Sequence, residues 1–377
     1  MIRFTFPFLF LVSVATSALA DLDSLKRDVV SNYANLVHAN YADALVEAVN
    51  LQGALTAFAN EPDEAGLAKA RMAWISARLP YLQTEVFRFY AGPIDDDDGP
   101  EGLINAWPLD EAYVDYVEGN PSVGIVNDTA NFPEITKELL VSVNEKDGEE
   151  NISAGFHAIE FLLWGQDENA DGPGNRSADD YITAPNADRR KAYLLAAGEL
   201  LVENLEHLVA EWAPGQDNYR KSFEAAPSSE SLKKIITGMS MLAGFELSGE
   251  RLLVAMETRA QEDEHSCFSD TTHSDVIYNA KGIANVWEGE YGNVKGAGID
   301  DLAKAVDADL RKKLRKTIQE ALKLSKQIPV PFDQAILEEN GRASILAVVE
   351  TLEDQADLLV ELSQKLGFEV PTSETDS

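Results

Sequence analysis

The chain is poor in cysteine, and this limits how it can be stabilised. Cys267 is the single cysteine among 377 residues, so no disulfide can form within the chain. No cysteine follows the small-residue pattern near residue 20, which argues against the lipid anchor of a bacterial lipoprotein. Hydrophobic residues make up 45% of the chain, enough for a sizeable core. We therefore expect packing, rather than covalent cross-links, to hold the fold together.

Basic residues are also scarce. Lysine and arginine number 31 against 65 acidic residues, which gives a formal net charge of −34. Such a surface repels nucleic acid and anionic lipid headgroups, and it attracts cations. A solvated acidic surface explains most of this charge, so the charge does not by itself predict a site. We expect no nucleic-acid partner.

Long apolar runs are absent beyond the N-terminus, so we expect no transmembrane span. Residues 1–20 have the pattern of a secretory signal. Arg3 is the basic start, residues 4–15 are the apolar centre, and Ala18 to Ala20 form a small-x-small cleavage site. The mature chain is then expected to begin at Asp21, in the periplasm, with association to the outer membrane left open.

The usual signatures of hydrolases are missing. No histidine is followed by glutamate, so the His-Glu-x-x-His zinc motif is absent, and there is no Gly-x-Ser-x-Gly elbow. Cys267 as a nucleophile would need an ordered histidine partner. His265 is only two residues away, and at that spacing it need not face the thiol. The sequence chemistry favours binding over hydrolysis.

Alternation typical of strands is absent too, whereas helical periodicity recurs along most of the chain. The pattern predicts an all-α fold, with a kink or break at Pro80. It also predicts a helix around His157 that is capped by Asn151 or Ser153 and ended by Gly165. The predicted helices are 22–60, 62–90, 133–143, 188–212, 228–261, 300–327 and 342–366. Residues 166–187 are rich in turn formers and are predicted to be a linker.

One hexapeptide pattern occurs twice. Residues 102–107 and 282–287 both read Gly-apolar-apolar-Asn-apolar-Trp, and they end at Trp107 and Trp287. An offset of about half the chain favours an internal duplication over chance. We therefore predict two related, four-helix-bundle-like domains, 21–175 and 176–370, followed by a disordered tail at 371–377.

The chemistry is concentrated in the run from Gly155 to Gly165, which contains one histidine and one glutamate among apolar residues. On a helix, His157 and Glu160 share a face one turn apart and could hold one metal ion. The alternative is a core histidine that hydrogen bonds to its own helical neighbour, because His-x-x-Glu is a short and common pattern. Spacing alone leaves both interpretations open.

The Gly-x-His-x-x-Glu motif, continued as Phe-Leu-Leu-Trp-Gly-Gln-Asp, resembles the signature of the imelysin family. Three further stretches are similar to that family, namely residues 81–90, 104–111 and 261–270. The resemblance covers nearly all of the chain after residue 20. It implies an all-α fold of two related bundles and a cell-envelope protein connected with iron.

The resemblance also extends the candidate site. It implies that the stretch containing Glu85 lies beside the signature helix, so we predict a metal site of His157, Glu160 and Glu85 that binds iron, with zinc as the alternative. An ordinary Glu85–Arg88 ion pair remains the alternative for that stretch. Residues predicted to surround the site or to form a second one are Arg88, Asp110, Glu246, Glu250, Asp263, His265, Asp270 and His273.

Three functions remain open at this point. The first is iron or cation binding in iron uptake or an iron-responsive function of the envelope, with an envelope uptake protein as partner. The second is a metal-dependent peptidase, as the label of the imelysin family implies. The third is a purely scaffolding protein of the envelope. Asp167-x-Asn169-x-Asp171-Gly172 also resembles the start of a calcium loop, but Ala178 stands where such a loop needs a glutamate.

Overall fold

The computed structural model describes residues 9–169 and 172–371, with side chains from Asp21 onward. The side chains of the predicted signal segment and residues 372–377 of the predicted tail lie outside the described part. Helices dominate that part, as the sequence predicts. The α-helices, in chain order, are α1 Leu9–Asn60, α2 Glu64–Leu82, α3 Glu101–Ile104, α4 Glu111–Val114, α5 Lys137–Val143, α6 Gly155–Trp164, α7 Ala187–Glu211, α8 Tyr219–Ala225, α9 Ser228–Met241, α10 Val254–Thr258, α11 Thr272–Glu288, α12 Ile299–Val306, α13 Ala308–Ser325, α14 Phe332–Leu337 and α15 Glu339–Leu366.

The remaining elements are short, except for one. A π-helical stretch, Leu242–Leu253, connects α9 to α10, so that the predicted helix 228–261 is continuous but changes its winding. Single 3₁₀ turns cover Glu85–Phe87, Ala178–Tyr181 and Gln261–Asp263. Strands β1, Glu290–Tyr291, and β2, Val294–Lys295, form a two-residue antiparallel hairpin.

Local sequence explains most of the helix boundaries. Asp63 caps α2 by accepting a hydrogen bond from the Gly66 amide at 2.6 Å. Pro80 lies in the last turn of α2, which ends two residues later, so the predicted break falls at the end of the helix. The predicted helix 300–327 is divided at Asp307, whose side chain accepts from the amides of Asp309 and Leu310 and starts α13.

Helix α1 packs against elements from along the whole chain, including α2, α7, α9 and α12. Helix α2 in turn contacts α6 and α11. A continuous core of buried apolar side chains runs through these contacts. The predicted linker is mostly irregular, and Arg176 within it is buried against Asp115 at 2.7 Å. The division into domains 21–175 and 176–370 stays a prediction.

The hexapeptide pattern does not mark a structural repeat. Residues 102–107 include the end of the four-residue helix α3 and a turn, and Trp107 is followed by a cis-proline. Residues 282–287 lie inside α11, where Trp287 is buried in the core. Since the two copies occupy different kinds of element, the expectation that Trp107 and Trp287 are equivalent is wrong, and this pattern gives no support for duplication.

Candidate metal site

The signature helix α6 begins without a side-chain cap. Ala154 occupies the capping position, so the prediction of Asn151 or Ser153 is wrong. The Ser153 hydroxyl instead donates to the Leu140 carbonyl at 2.7 Å. Gly155 has a φ of +82°, and a Cβ there would lie 2.5 Å from the Ile104 carbonyl oxygen. Glycine is therefore required at position 155 for two reasons, the positive φ of its backbone and the close approach of the segment around Ile104.

His157 and Glu160 are both buried in α6 and are hydrogen bonded to each other. The His157 Nδ1 and the Glu160 Oε2 lie 2.9 Å apart. The other carboxyl oxygen of Glu160 accepts from the Ser269 amide at 3.0 Å and from the Ser269 hydroxyl at 2.6 Å. His157 Nε2 has no hydrogen-bond partner among the described residues, although it is buried. The helical-neighbour interpretation is thus correct for Nδ1, while Nε2 stays available as a ligand.

A second imidazole with the same kind of support faces the first. The His265 ring centroid lies 4.7 Å from that of His157. Asp275 Oδ2 lies 2.8 Å from His265 Nδ1 and accepts from the Ser266 hydroxyl at 2.6 Å. Each imidazole is therefore oriented through Nδ1 by a carboxyl group, the arrangement that typically supports a histidine ligand.

Arg78 places a positive charge beside this pair. Its guanidinium lies 3.3 Å from Asp275 Oδ1 and donates to Asn105. It also stacks on aromatic rings, with 5.0 Å to the Phe156 centroid. The residue is almost fully buried, so its charge is felt strongly by both imidazoles.

The site is built from neutral imidazoles. Burial lowers the pKa of His157 well below its usual value, and His265 and Arg78 lower it further. Burial, Arg251 and Arg78 do the same to the pKa of His265. Burial raises the pKa of Glu160 to about 8, with Ser269 opposing the shift. At neutral pH the imidazoles are free to bind a metal, and Glu160 holds a proton that a cation would displace.

Glu85, the predicted third ligand, is engaged in an ion-pair network. Its Oε2 accepts from Arg251 at 2.5 Å and from Arg88 at 3.0 Å. Burial raises the pKa of Glu85, but Arg251 and Arg88 outweigh burial and hold it at about 2. Its other oxygen has no partner among the described residues. His265 is close enough to affect the pKa of Glu85, so this ion-pair network adjoins the imidazole pair.

The π-helical winding explains how Arg251 is held. Glu246 Oε1 accepts from Arg251 at 2.7 Å, and Arg251 also donates to Asn279 at 2.6 Å. Residues five apart on an α-helix point about 140° away from each other. The wider turn of a π-helix brings residues 246 and 251 to one face, which aims Arg251 at Glu85.

The other predicted surrounding residues are spread over the neighbourhood of the site. Arg88 pairs with Glu85, with Glu101 at 3.1 Å and with Glu246 at 3.7 Å. Asp110 caps α4 through the Ala112 amide. Of the remaining four positions, Glu250 is exposed on the π-helical stretch and Asp263 lies in a 3₁₀ turn. Asp270 is buried, and His273 is half-buried in α11.

An acidic cleft lies next to the imidazole pair. It encloses about 590 Å³ and is walled by six carboxylates, with Trp107, Cys267 and Phe268 among its apolar residues. The Trp107 ring lies 5.7 Å from the His265 ring. The carboxylates are Asp110, Glu111, Glu150, Asp167, Glu168 and Glu262. Such a cleft concentrates cations beside the buried histidines.

No three histidine, cysteine or carboxylate side chains of the described residues already converge as a coordination set. The structure does bring His157, Glu160 and His265 together, and the Glu85 network adjoins them. Sequence reasoning missed Arg78, Asn105 and Ser269, which come from distant parts of the chain. Only tertiary packing brings these three residues together, so no local spacing in the sequence could predict their contact.

These features define an all-helical protein with a buried pair of carboxyl-supported imidazoles beside an acidic cleft. The family model described as imelysin matches residues 37–359, so the chain belongs to the imelysin family. Iron-regulated protein A of Synechococcus elongatus is 25% identical over 343 residues, which cover 86% of this chain and 84% of that protein.

Two solved structures share the fold. A protein described as an iron-regulated protein A precursor from Parabacteroides distasonis superposes with a TM-score of 0.72 at 18% identity, covering 91% of this chain and 95% of that one. An imelysin-like protein from Psychrobacter arcticus gives a TM-score of 0.67 at 14% identity, covering 93% and 98%. Within the described residues, no helix has the length and apolar character needed to cross a membrane.

Proposed function

We propose that this protein binds iron, or a related cation such as zinc, at the His157–His265 pair, and that it serves iron uptake or an iron-responsive function in the cell envelope. The observation that carries the proposal is the buried, unpartnered Nε2 of His157, in a ring whose centroid lies 4.7 Å from that of a second supported imidazole. An orphaned buried nitrogen is costly unless a ligand satisfies it. The connection with iron rests on the relative's name, iron-regulated protein A.

The residues act in sequence on an arriving cation. The carboxylates of the cleft attract it, and the neutral imidazoles offer nitrogen lone pairs. Imidazole nitrogen suits both iron and zinc. Loss of the Glu160 proton fixes the Nδ1–H tautomer of His157, which leaves Nε2 as the metal-binding atom. Glu160 then acts by orienting His157, or it turns to join the ion as a ligand.

The cellular location is part of the proposal. The leader pattern of residues 1–20 supports secretion to the periplasm, where an uptake protein of the envelope would be the partner. The acidic surface suits a protein that gathers cations. Both statements rest on the sequence pattern and on the family.

The test is titration with Fe(II) and Zn(II), by calorimetry, of the wild type and of three variants. His157→Ala and His265→Ala should each weaken binding at least about 10–100-fold, as loss of even a supporting partner does. His207→Ala is the matched control, since His207 is exposed on α7. Circular dichroism confirms that each variant is folded.

Equal affinities in all four folded proteins would show that the imidazole pair is structural. Peptide turnover is measured on the same samples. Hydrolysis that depends on both the metal and His157 would support the metal-dependent peptidase instead, and would remove the case for binding alone.

A further inference from the structure

Four carboxyl groups gather from three separate segments of the chain. They are Asp167 after α6, Glu264 and Asp270 in the segment before α11, and Asp333 at the start of α14. The Asp167 and Asp270 side chains are hydrogen bonded to each other. Glu264 interacts electrostatically with the other three. We call this group the carboxyl cluster.

Glu264 is the unusual member of the carboxyl cluster. It is 0% exposed, and neither of its carboxyl oxygens has a hydrogen bond of acceptable geometry among the described residues. The Thr272 hydroxyl only partly opposes the rise that burial causes in the pKa of Glu264. One oxygen each of Asp270 and Asp333 also lacks a partner. A buried carboxylate in this condition is strongly unfavourable.

Elsewhere the chain satisfies buried carboxylates with arginine. Asp115 is equally buried, but Arg176 and Arg190 bind it at 2.7 Å and 2.5 Å. No arginine or lysine is among the groups that act most strongly on Glu264, Asp167 or Asp270. The carboxyl cluster therefore needs either protons or a cation from outside the chain.

We propose that the carboxyl cluster is a second cation site, separate from the imidazole pair, for a hard divalent ion of the calcium type. The donors are oxygens from carboxyl groups, the ligands that such ions prefer. Calcium accepts six to eight oxygens in flexible geometry, so waters and small side-chain rotations complete the shell. These movements are required, because no three of the described side chains already converge as a coordination set.

Protons compete with the ion. Burial raises the pKa of Asp167 to about 6 and that of Asp270 to about 7. The folded chain without metal therefore holds a fraction of the protons of these two groups at neutral pH, and a larger fraction in mild acid. Binding of a cation expels them, so calcium affinity rises with pH.

The ion would join three segments of the fold. Asp270 lies next to Ser269, which hydrogen bonds to Glu160, and Glu264 lies next to His265. Binding at the carboxyl cluster thus stabilises the segment that completes the imidazole pair. The thermal midpoint should rise with calcium, because the ion binds the folded chain in preference to the unfolded one.

The test measures calcium binding by calorimetry and the thermal midpoint in millimolar CaCl₂ against EDTA. Wild type should bind saturably, release protons and gain thermal stability, and it should do so more strongly at pH 8 than at pH 5.5. Asp333→Asn and Glu264→Gln should weaken calcium binding at least tenfold. Asp97→Asn is the control, since Asp97 is exposed in another acidic loop, and it should behave as wild type.

Absence of saturable calcium binding by wild type would overturn the proposal. A second result would also overturn it, namely a Glu264→Gln variant that is more stable than wild type in EDTA, together with a wild-type thermal midpoint that does not change with calcium. Protons alone would then satisfy the carboxyl cluster. Asp333→Asn keeps the test valid where Glu264→Gln does not fold. His157→Ala should bind calcium normally, which separates this proposal from the iron site.

Discussion

Four buried carboxyl groups in this protein have pKa values that move in opposite directions. Glu85 is held at a pKa of about 2 and the pKa of Asp115 is lowered, although burial opposes both shifts. The pKa of Glu160 is raised to about 8, and the pKa of Glu264 lies well above its usual value. The difference is the partner, since arginines bind the first two, whereas Ser269 and a neutral imidazole hydrogen bond to Glu160 and other carboxyl groups surround Glu264. Charge at the site is therefore set by tertiary contacts.

The pKa of Glu160 predicts how metal binding depends on pH. Because the folded chain holds this proton below about pH 8 and the bound ion displaces it, iron or zinc affinity should rise roughly tenfold per pH unit up to that point. Glu160→Gln should flatten the profile. Calorimetry in buffers of different ionisation enthalpy measures the proton released. A wild-type affinity that is constant from pH 6 to 8 would contradict the assignment.

At the scale of elements, α6 is placed by its two terminal glycines. Gly155 and Gly165 both have positive φ, at +82° and +73°. The chain therefore enters and leaves the helix in conformations that other residues rarely adopt. This positions the face with His157 and Glu160 against the segments of Ser269 and His265. The motif glycine is thus structural, whereas the histidine is the residue to which the proposed function assigns metal binding.

Gly155→Ala tests this placement. The strained backbone and the contact with the Ile104 carbonyl should cost at least about 2 kcal/mol of the free energy of unfolding. Gly53→Ala is the matched control, because Gly53 is exposed in α1 with nothing near its Cβ position. That change should stabilise by about 0.5–1 kcal/mol. Urea unfolding of both variants gives the values, and equal effects would refute the argument.

At the scale of the whole molecule, the dominant feature is negative charge. The formal net charge is −34, and six carboxylates line one cleft. Several exposed acids pair with nearby lysines, as Asp188 does with Lys191 at 2.7 Å. Such exposed pairs contribute little to stability. Most of the surface charge therefore repels itself in the folded state.

Salt should consequently stabilise the protein. Raising NaCl from about 10 mM to about 300 mM shortens the screening length several-fold. We expect a gain of about 1 kcal/mol, seen as a rise of about 1–2 °C in the thermal midpoint of a chain of this length. Differential scanning calorimetry measures it, with an equal osmolality of sucrose as the uncharged control. A midpoint that falls with salt would show that attractive pairs outweigh the repulsion.

Much of the fold could be read from the sequence, because helical periodicity and capping residues act locally. The long helices, the stop at Gly165 and the near absence of strands followed from spacing. The prediction that His157 and Glu160 share a face is confirmed, since i,i+3 geometry belongs to any helix. The break at Asp307 was missed because the helical periodicity continues across this local cap. The uncapped start at Ala154 was missed because it depends on the contact between Gly155 and the segment around Ile104.

What tertiary structure alone decided is which distant groups meet. His157 lies beside His265, Ser269 hydrogen bonds to Glu160, and the carboxyl cluster brings Asp167 close to Glu264. The two residues of each pair are about 100 positions apart in the chain. Likewise, Glu85 became an arginine-bound carboxylate because the π-helical turn aimed Arg251 at it. The chain determines local geometry by steric and hydrogen-bond rules, but protonation and partnership arise only when burial removes water.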